Sequence, residues 1–285
     1  MLILIIGGNG KLAYDFKRVF KRLGIAYHVL DKDTIDVTNK ILLEKYFEGK
    51  NYDIIINCAA YNDVDKAETD IEMCMDLNMN VPKNLSLIAK RSKAVFVTFS
   101  TDFIFDGAKK SPYSEEDTPN PLSVYGKSKY LGEKTVMDNY DKIFIIRTSW
   151  LFGEINQDFV KQVINWSKKT DELSIIIDQI SAPTYSVDLA EYSWRLIETG
   201  KYGLYHITND GECSKYEQAR YVLEKTSWKG KLNKIKTEKF NLPAKRAKYS
   251  KLSSKKIENI LGEKMPDWKD GIDRFLKELK EKGEF

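Results

Sequence analysis

Histidine is nearly absent from the chain: His28 and His206 are the only two in 285 residues. The three cysteines, Cys58, Cys74 and Cys213, are odd in number, far apart and without a CxxC pair. That inventory argues against both a zinc site and a disulfide framework. Charge of one sign is missing too, since 46 basic side chains face 42 acidic ones and leave a net charge of only +4. No nucleic-acid partner is expected from such a balance. Long apolar runs are also missing. LILII and IIIN are far shorter than a bilayer span, and the first six residues lack the basic start of a secretion signal. The expectation is a protein of the cytoplasm with no membrane partner. No repeat and no low-complexity linker interrupts the chain.

The first half has a clear rhythm. Short β-type runs at 2–6, 26–30, 53–57, 94–99 and 142–150 alternate with amphipathic or charged segments near 11–23, 38–48, 66–91 and 124–139. Strands alternating with helices predict an α/β fold, a doubly wound parallel Rossmann sheet covered on both faces. After Trp150 the rhythm weakens. Helices are expected near 157–168, 187–199, 214–226 and 266–282, strands near 173–177 and 203–208, and an irregular basic stretch over 231–256. The expected division is a dinucleotide-binding domain of residues 1–149 with about 185–209 returning to it. A smaller, irregular α+β substrate lobe would then comprise about 150–184 and 210–285, leaving a cleft between the two.

The stretch MLILIIGGNGKLAYDF turns an apolar strand into a helix through a glycine corner. Gly7, Gly10 and Ala13 have the GxxGxxA spacing, in which bare backbone N–H groups and the helix's positive end face a pyrophosphate. The second strand ends at Asp31, 24 residues after Gly7, near the offset at which a dinucleotide fold sets an acid on the adenosine ribose. A carboxylate there accepts from both ribose hydroxyls and repels a 2′-phosphate, which favours NADH. Lys11, Arg18 and Lys32 are the cations available to NADPH. An ordinary glycine turn with a surface aspartate is the bland alternative.

The chemistry is expected from PLSVYGKSKYLGEK, where Tyr125 and Lys129 stand four apart on a predicted helix. A free phenol, with a pKa of about 10, is a poor acid–base at neutral pH, and a neighbouring ammonium pulls it down. YxxxK alone is a common accident of exposed helices. Position adds to it: Ser100, Thr101 and Asp102 end the fourth predicted strand, on the edge where open α/β sheets bind ligands. Thr101 there is placed to bond a substrate carbonyl while Tyr125 delivers the proton, or merely to cap the strand. Trp150, just past the fifth strand, reads as a sugar platform or as core.

The corner, the ribose acid, the threonine and the Tyr/Lys pair together resemble the extended short-chain dehydrogenase/reductases. The motifs NCAAYNDVDKAE (57–68), STDFIFDG (100–107), RTSWLFG (147–153), DQISAPTY (178–185) and PAKRAKYSKL (243–252) narrow the resemblance to the dTDP-4-dehydrorhamnose reductases, nearly end to end. That resemblance implies that Gly10, Lys11, Leu12, Asp31, Asp36, Val37, Ala59, Ala60 and Tyr61 line NADH or NADPH, with Gly7 beneath. It implies Tyr125 as proton donor, Lys129 on the nicotinamide ribose and Thr101 in the proton relay. Val64, Thr101, Asp102 and Trp150 would meet the dTDP-sugar, and Lys245 and Arg246, unless simply solvated, its diphosphate. The implied reaction is reduction of the C4 ketone of dTDP-4-dehydro-6-deoxy-L-mannose to dTDP-L-rhamnose. Some members of the family use magnesium through acidic residues, one of which matches Asp15; no required metal is expected here. Homodimers are frequent in the family, although no interface signature is visible. Ala247 departs from the usual proline after the arginine.

Two rivals remain at this stage. A nucleotide-sugar epimerase would need much the same residues; a dehydratase is disfavoured because Phe103, not Glu, follows Asp102. A non-catalytic subunit like the regulatory partner of methionine adenosyltransferase shares the fold but has no need of a tuned phenol.

Overall fold

The computed structural model describes residues 1–285. In chain order the elements of the first part are β1 (Ile3–Ile6), α1 (Lys11–Leu23), β2 (Tyr27–Leu30), α2 (Lys40–Phe47), β3 (Ile54–Asn57), α3 (Ile71–Met75), α4 (Val81–Ser92), β4 (Val95–Thr101), α5 (Val124–Asn139) and β5 (Ile143–Thr148). The second part adds β6 (Leu151–Phe152), α6 (Phe159–Ser167), β7 (Glu172–Ile176), β8 (Ile180–Ser181), β9 (Thr184–Tyr185), α7 (Ser186–Glu198), β10 (Gly203–His206), β11 (Cys213–Ser214), α8 (Lys215–Lys225), β12 (Lys231–Ile235), α9 (Lys255–Leu261) and α10 (Trp268–Glu281).

Six strands form one parallel sheet in the order β10-β5-β4-β3-β1-β2. Its strands alternate between two cores because successive side chains point to opposite faces. Ile3 and Ile5 of β1 pack with Phe16 and Phe20 of α1 and Leu189 of α7, whereas Leu4 and Ile6 pack with Leu43 of α2 and Leu85 of α4. The order reverses at β1, whose neighbours β2 and β3 follow it on opposite sides, and a crevice opens beyond the carboxyl ends of β1 and β3. The second part has its own apolar core, with Phe152, Val163, Val222 and Phe275 at its centre, built from α6, α8 and α10. No helix is long and apolar enough to cross a membrane.

Three sequence expectations differ from the fold. The single helix expected over 66–91 is broken into a 3-10 turn at Lys66–Glu68, α3, a π-helical turn at Asp76–Asn80, and α4. Pro82 has no N–H to give the Asn78 carbonyl, so the regular ladder lapses there. The strand expected to run to residue 150 stops at Thr148, because Trp150 takes a left-handed backbone with φ 45°. The basic stretch 231–256 is not wholly irregular: β12 pairs in parallel with β7, and α9 begins at its end.

Candidate active site

Gly7 adopts φ 82°, and a Cβ there would stand 2.6 Å from the Ala59 amide nitrogen, so only glycine fits the corner. Gly10 caps α1 without a side-chain hydrogen bond, and no acid occupies the first turn. The first N–H groups of α1 are thus left for an anion. Asp31 follows β2 beside Gly8, and its Oδ1 accepts from the Asp33 and Thr34 amides and the Thr34 hydroxyl. Lys11 is already employed: its Nζ donates to the carbonyls of Gly153 and Ile155 and to Asp158, 3.0 Å away. It braces the corner against the 153–158 loop.

Tyr125 and Lys129 come from α5, whose N-cap Ser123 accepts from the Gly126 amide. Tyr125, Ser128, Lys129, Gly132, Glu133 and Val136 form its buried face. That face lies close against its neighbours, since a Cβ on Gly132 would stand 2.1 Å from the Asn78 carbonyl oxygen. Asn78 in turn donates to Ser128 Oγ and to the Tyr61 carbonyl, and accepts from the Tyr61 amide. The π-helical turn therefore supports both Tyr61 and the small face of α5.

Thr101 ends β4. Its hydroxyl donates to Asp102 and accepts from the Phe103 amide, both at 3.2 Å. Asp102 is sealed from solvent and also accepts from Ser181 and Ser250 of the second part. Burial raises its carboxyl to about 6 against those hydrogen bonds. Tyr125 is buried next to Thr101, with Phe103 edge-on at 5.5 Å. Burial pushes its phenol well above the ordinary value; the Thr101 hydroxyl works against the rise, and the Asp102 charge adds to it. The Lys129 ammonium, lowered to about 8 by burial, donates to the Phe99 carbonyl at 2.7 Å. This differs from the sequence expectation of a phenol pulled down by Lys129, because desolvation outweighs any ammonium effect where the ring is enclosed.

One cleft of about 510 Å³ gathers Gly10, Lys11, Leu12, Ala59, Ala60, Val64, Thr101, Asp102, Tyr125, Lys129 and Trp150. Gly7 lies under its floor against Ala59. The cleft does not gather Asp36, whose carboxylate accepts from Thr38, or Val37, whose side chain is part of the core beside Leu30. Lys245 and Arg246 line a smaller crevice on the far side of Trp150. Arg246 is committed there to Asp65 through two hydrogen bonds of 3.0 and 2.6 Å.

Two buried hydroxyls on the cleft wall, Ser100 Oγ and Thr148 Oγ1, have no hydrogen-bond partner within the protein. Unpaired groups of this kind at strand ends suit a polar ligand. Together with the open helix end and the glycine cradle, they fit a dinucleotide. Lys215, which the sequence reading missed, also enters the cleft. Its local signal was the Ser214/Glu217 capping box, which makes it the first residue of α8. No group of three or more His, Cys, Asp or Glu side chains is arranged to hold a metal ion. Asp15, the acid of metal-binding interest, instead faces Arg18, which also reaches Glu278.

Residues 1–281 match the family model described as RmlD substrate binding domain. The dTDP-4-dehydrorhamnose reductase of Aggregatibacter actinomycetemcomitans is 34% identical over 284 residues, covering 95% of this chain and 96% of that protein. A crystal structure of a dTDP-4-dehydrorhamnose reductase from Clostridium acetobutylicum aligns with a TM-score of 0.95 at 37% identity, covering 98% of this chain and 100% of that one. The dTDP-4-dehydrorhamnose reductase of Bacillus anthracis, solved in complex with NADP, aligns with a TM-score of 0.93 at 34% identity, covering 97% and 99% of the two chains. With its glycine corner and Thr101, Tyr125 and Lys129 in one cleft, the chain belongs to the RmlD family, that of the dTDP-4-dehydrorhamnose reductases.

Proposed function

We propose that the protein reduces the C4 ketone of dTDP-4-dehydro-6-deoxy-L-mannose with NADH or NADPH, giving dTDP-L-rhamnose. The observation that carries this reading is the Tyr125 phenol, buried against Thr101 in the same cleft as the open end of α1. The reduced nicotinamide, when bound, supplies the hydride. Gly7, Gly10, Leu12, Ala59 and Ala60 hold the dinucleotide, with Tyr61 beside them and Lys11 as the brace of the corner. Asp31 takes the adenosine ribose, a placement that favours NADH.

The protein's own part is geometry and a proton. A phenol raised by burial is fully protonated at neutral pH, so Tyr125 stands ready as an acid toward the oxygen that becomes the C4 hydroxyl. The Thr101 hydroxyl is fixed beside the phenol by donating to Asp102 and accepting from the Phe103 amide, which leaves the phenol's own proton for the substrate. Lys129 holds the nicotinamide ribose. Trp150, Val64 and the Thr101–Asp102 pair receive the sugar nucleotide, Asp102 acting mainly by positioning Thr101. In this reading residues 1–149 and about 185–209 serve the cofactor, and about 150–184 and 210–285 serve the substrate.

The test is direct. Purified protein is mixed with enzymatically generated dTDP-4-dehydrorhamnose and either NADH or NADPH, and the absorbance of the reduced cofactor is followed. Substrate-dependent oxidation is expected with both, faster with NADH at limiting cofactor; no turnover with either overturns the proposal.

A further inference from the structure

We propose that the Lys215 ammonium is the anchor for the diphosphate of the substrate, an inference that rests on the nucleotide-sugar reading above. Three ammonium groups line the cleft. Lys11 is bonded to Asp158 and Lys129 to the Phe99 carbonyl. Lys215 has neither a hydrogen-bond acceptor nor an ion-pair partner. Its Nζ lies 3.5 Å from the centroid of the Trp150 ring and 4.4 Å from that of Phe159.

Two aromatic faces attract a cation but accept no conventional hydrogen bond from it. The side chain is half-buried and its Nζ donates to no protein group, so its three donors are left to water in the cleft or to an anion that enters it, and an anion completes them better. Desolvation accordingly lowers this ammonium to about 7, although Cys213, Asp102 and Asp158 work in the other direction and Arg246 with it. The two carboxylates have other work. Asp102 is occupied by Ser181 and Ser250, and Asp158 by Lys11 and by capping α6 at the Lys161 amide.

The position is built rather than accidental. Lys215 opens α8 inside the reciprocal capping pair of Ser214 and Glu217, and its amide donates to the Gln179 carbonyl. The side chain thus enters the cleft from the second part of the chain, facing the Thr101 and Tyr125 wall. The two cations suggested by the sequence are poorer candidates, since Arg246 is locked to Asp65 and Lys245 is exposed beyond Trp150. A diphosphate set against Lys215 would put the nucleotide on the outer side of Trp150 and the sugar toward Tyr125.

Calorimetry on the full chain, with dTDP, UDP, thymidine and NADPH as separate probes, tests this. Lys215→Met is expected to weaken dTDP binding about 10- to 100-fold, the scale of a lost charged hydrogen bond. Thymidine and NADPH affinities should be unchanged, and Lys215→Arg should recover most of the loss. Unaltered dTDP affinity in Lys215→Met overturns the assignment, as does a loss for NADPH or thymidine as large as that for dTDP. A wild-type chain that binds UDP and not dTDP, with the UDP affinity lost in Lys215→Met, upholds the anchor and refutes the thymidine-sugar reading. A wild-type chain that binds neither diphosphate refutes both.

Discussion

The Arg147 guanidinium of β5 donates two hydrogen bonds to the Glu133 carboxylate of α5, at 2.9 and 2.7 Å, with both side chains almost wholly buried. The pair fastens the helix that carries Tyr125 and Lys129 to the sheet beneath it. Removing one partner of such a pair strands the other charge away from water, which costs about 3–5 kcal/mol. Glu133→Gln should therefore lower the thermal midpoint markedly. Glu133→Leu combined with Arg147→Met should recover much of that stability. Calorimetric melting checks both, and a Glu133→Gln melt like the wild type's would show that the pair contributes little.

His206 touches the same pair. Its Nε2 lies 3.3 Å from Arg147 Nη1 and its Nδ1 3.1 Å from the Tyr113 carbonyl, a setting that demands the neutral ring protonated on Nδ1. Burial and the Arg147 charge lower its pKa from 6.5 to about 3. The unfolded chain takes up this proton below about pH 6.5 while the folded chain refuses it. Stability is thus lost as pH falls from there toward 3, by up to about 1.4 kcal/mol per pH unit. Asp15 and Asp102, both raised by burial to about 6, act with the opposite sign, since below that pH the folded chain binds their protons more readily than the unfolded one. His206→Gln removes only the histidine contribution. Denaturant titrations between pH 4 and 7 should show stability falling less steeply toward acid in the variant than in the wild type; parallel curves would refute the assignment.

Tyr125→Phe keeps the ring against Phe103 and deletes the proton. Turnover should drop about 10²–10⁴-fold, the scale of a lost general acid. NADPH affinity, followed by nicotinamide fluorescence, should stay close to that of the wild type. Undiminished turnover removes Tyr125 from the chemistry.

Gly132→Ala drives a methyl group into the Asn78 carbonyl oxygen, 2.1 Å from the ideal Cβ. Overpacking of this kind costs about 1–3 kcal/mol, and here it also shifts Tyr125 and Lys129. The expected result is a lower melting temperature together with reduced turnover. Gly24→Ala serves as the comparison. Its φ is 67° with no atom within 4 Å, so only the left-handed backbone penalty of about 1 kcal/mol applies and turnover is unaffected.

The parts of the site that are local in sequence were legible. Gly7 to Ala13 announces a strand, a turn and a helix within a dozen residues, and Tyr125 with Lys129 shares one helical turn. Thr101 followed from the end of a β-rich run. What stayed hidden depends on distant convergence. Lys215 meets Trp150 and Phe159 only because β11 and α8 fold back against β8, and the Arg246–Asp65 tie spans 181 positions. KLNKI at 231–235 looks irregular because Lys231 and Lys234, three apart, fall on opposite faces of a strand and break the alternation, and only β7 beside it makes it one. The break after residue 75 did carry a signal, Pro82, but the length of the apolar pattern concealed it.

Trp150 holds a left-handed conformation that glycine alone would occupy without penalty, with its indole set between the cleft, the Lys245 crevice and the Lys215 ammonium. Glycine there would release about 1–2 kcal/mol of backbone strain but give up an indole packed against the core of the second part, which is the larger loss. The chain thus bends its backbone to keep that ring in place, and shortening the side chain would weaken the fold and the wall together.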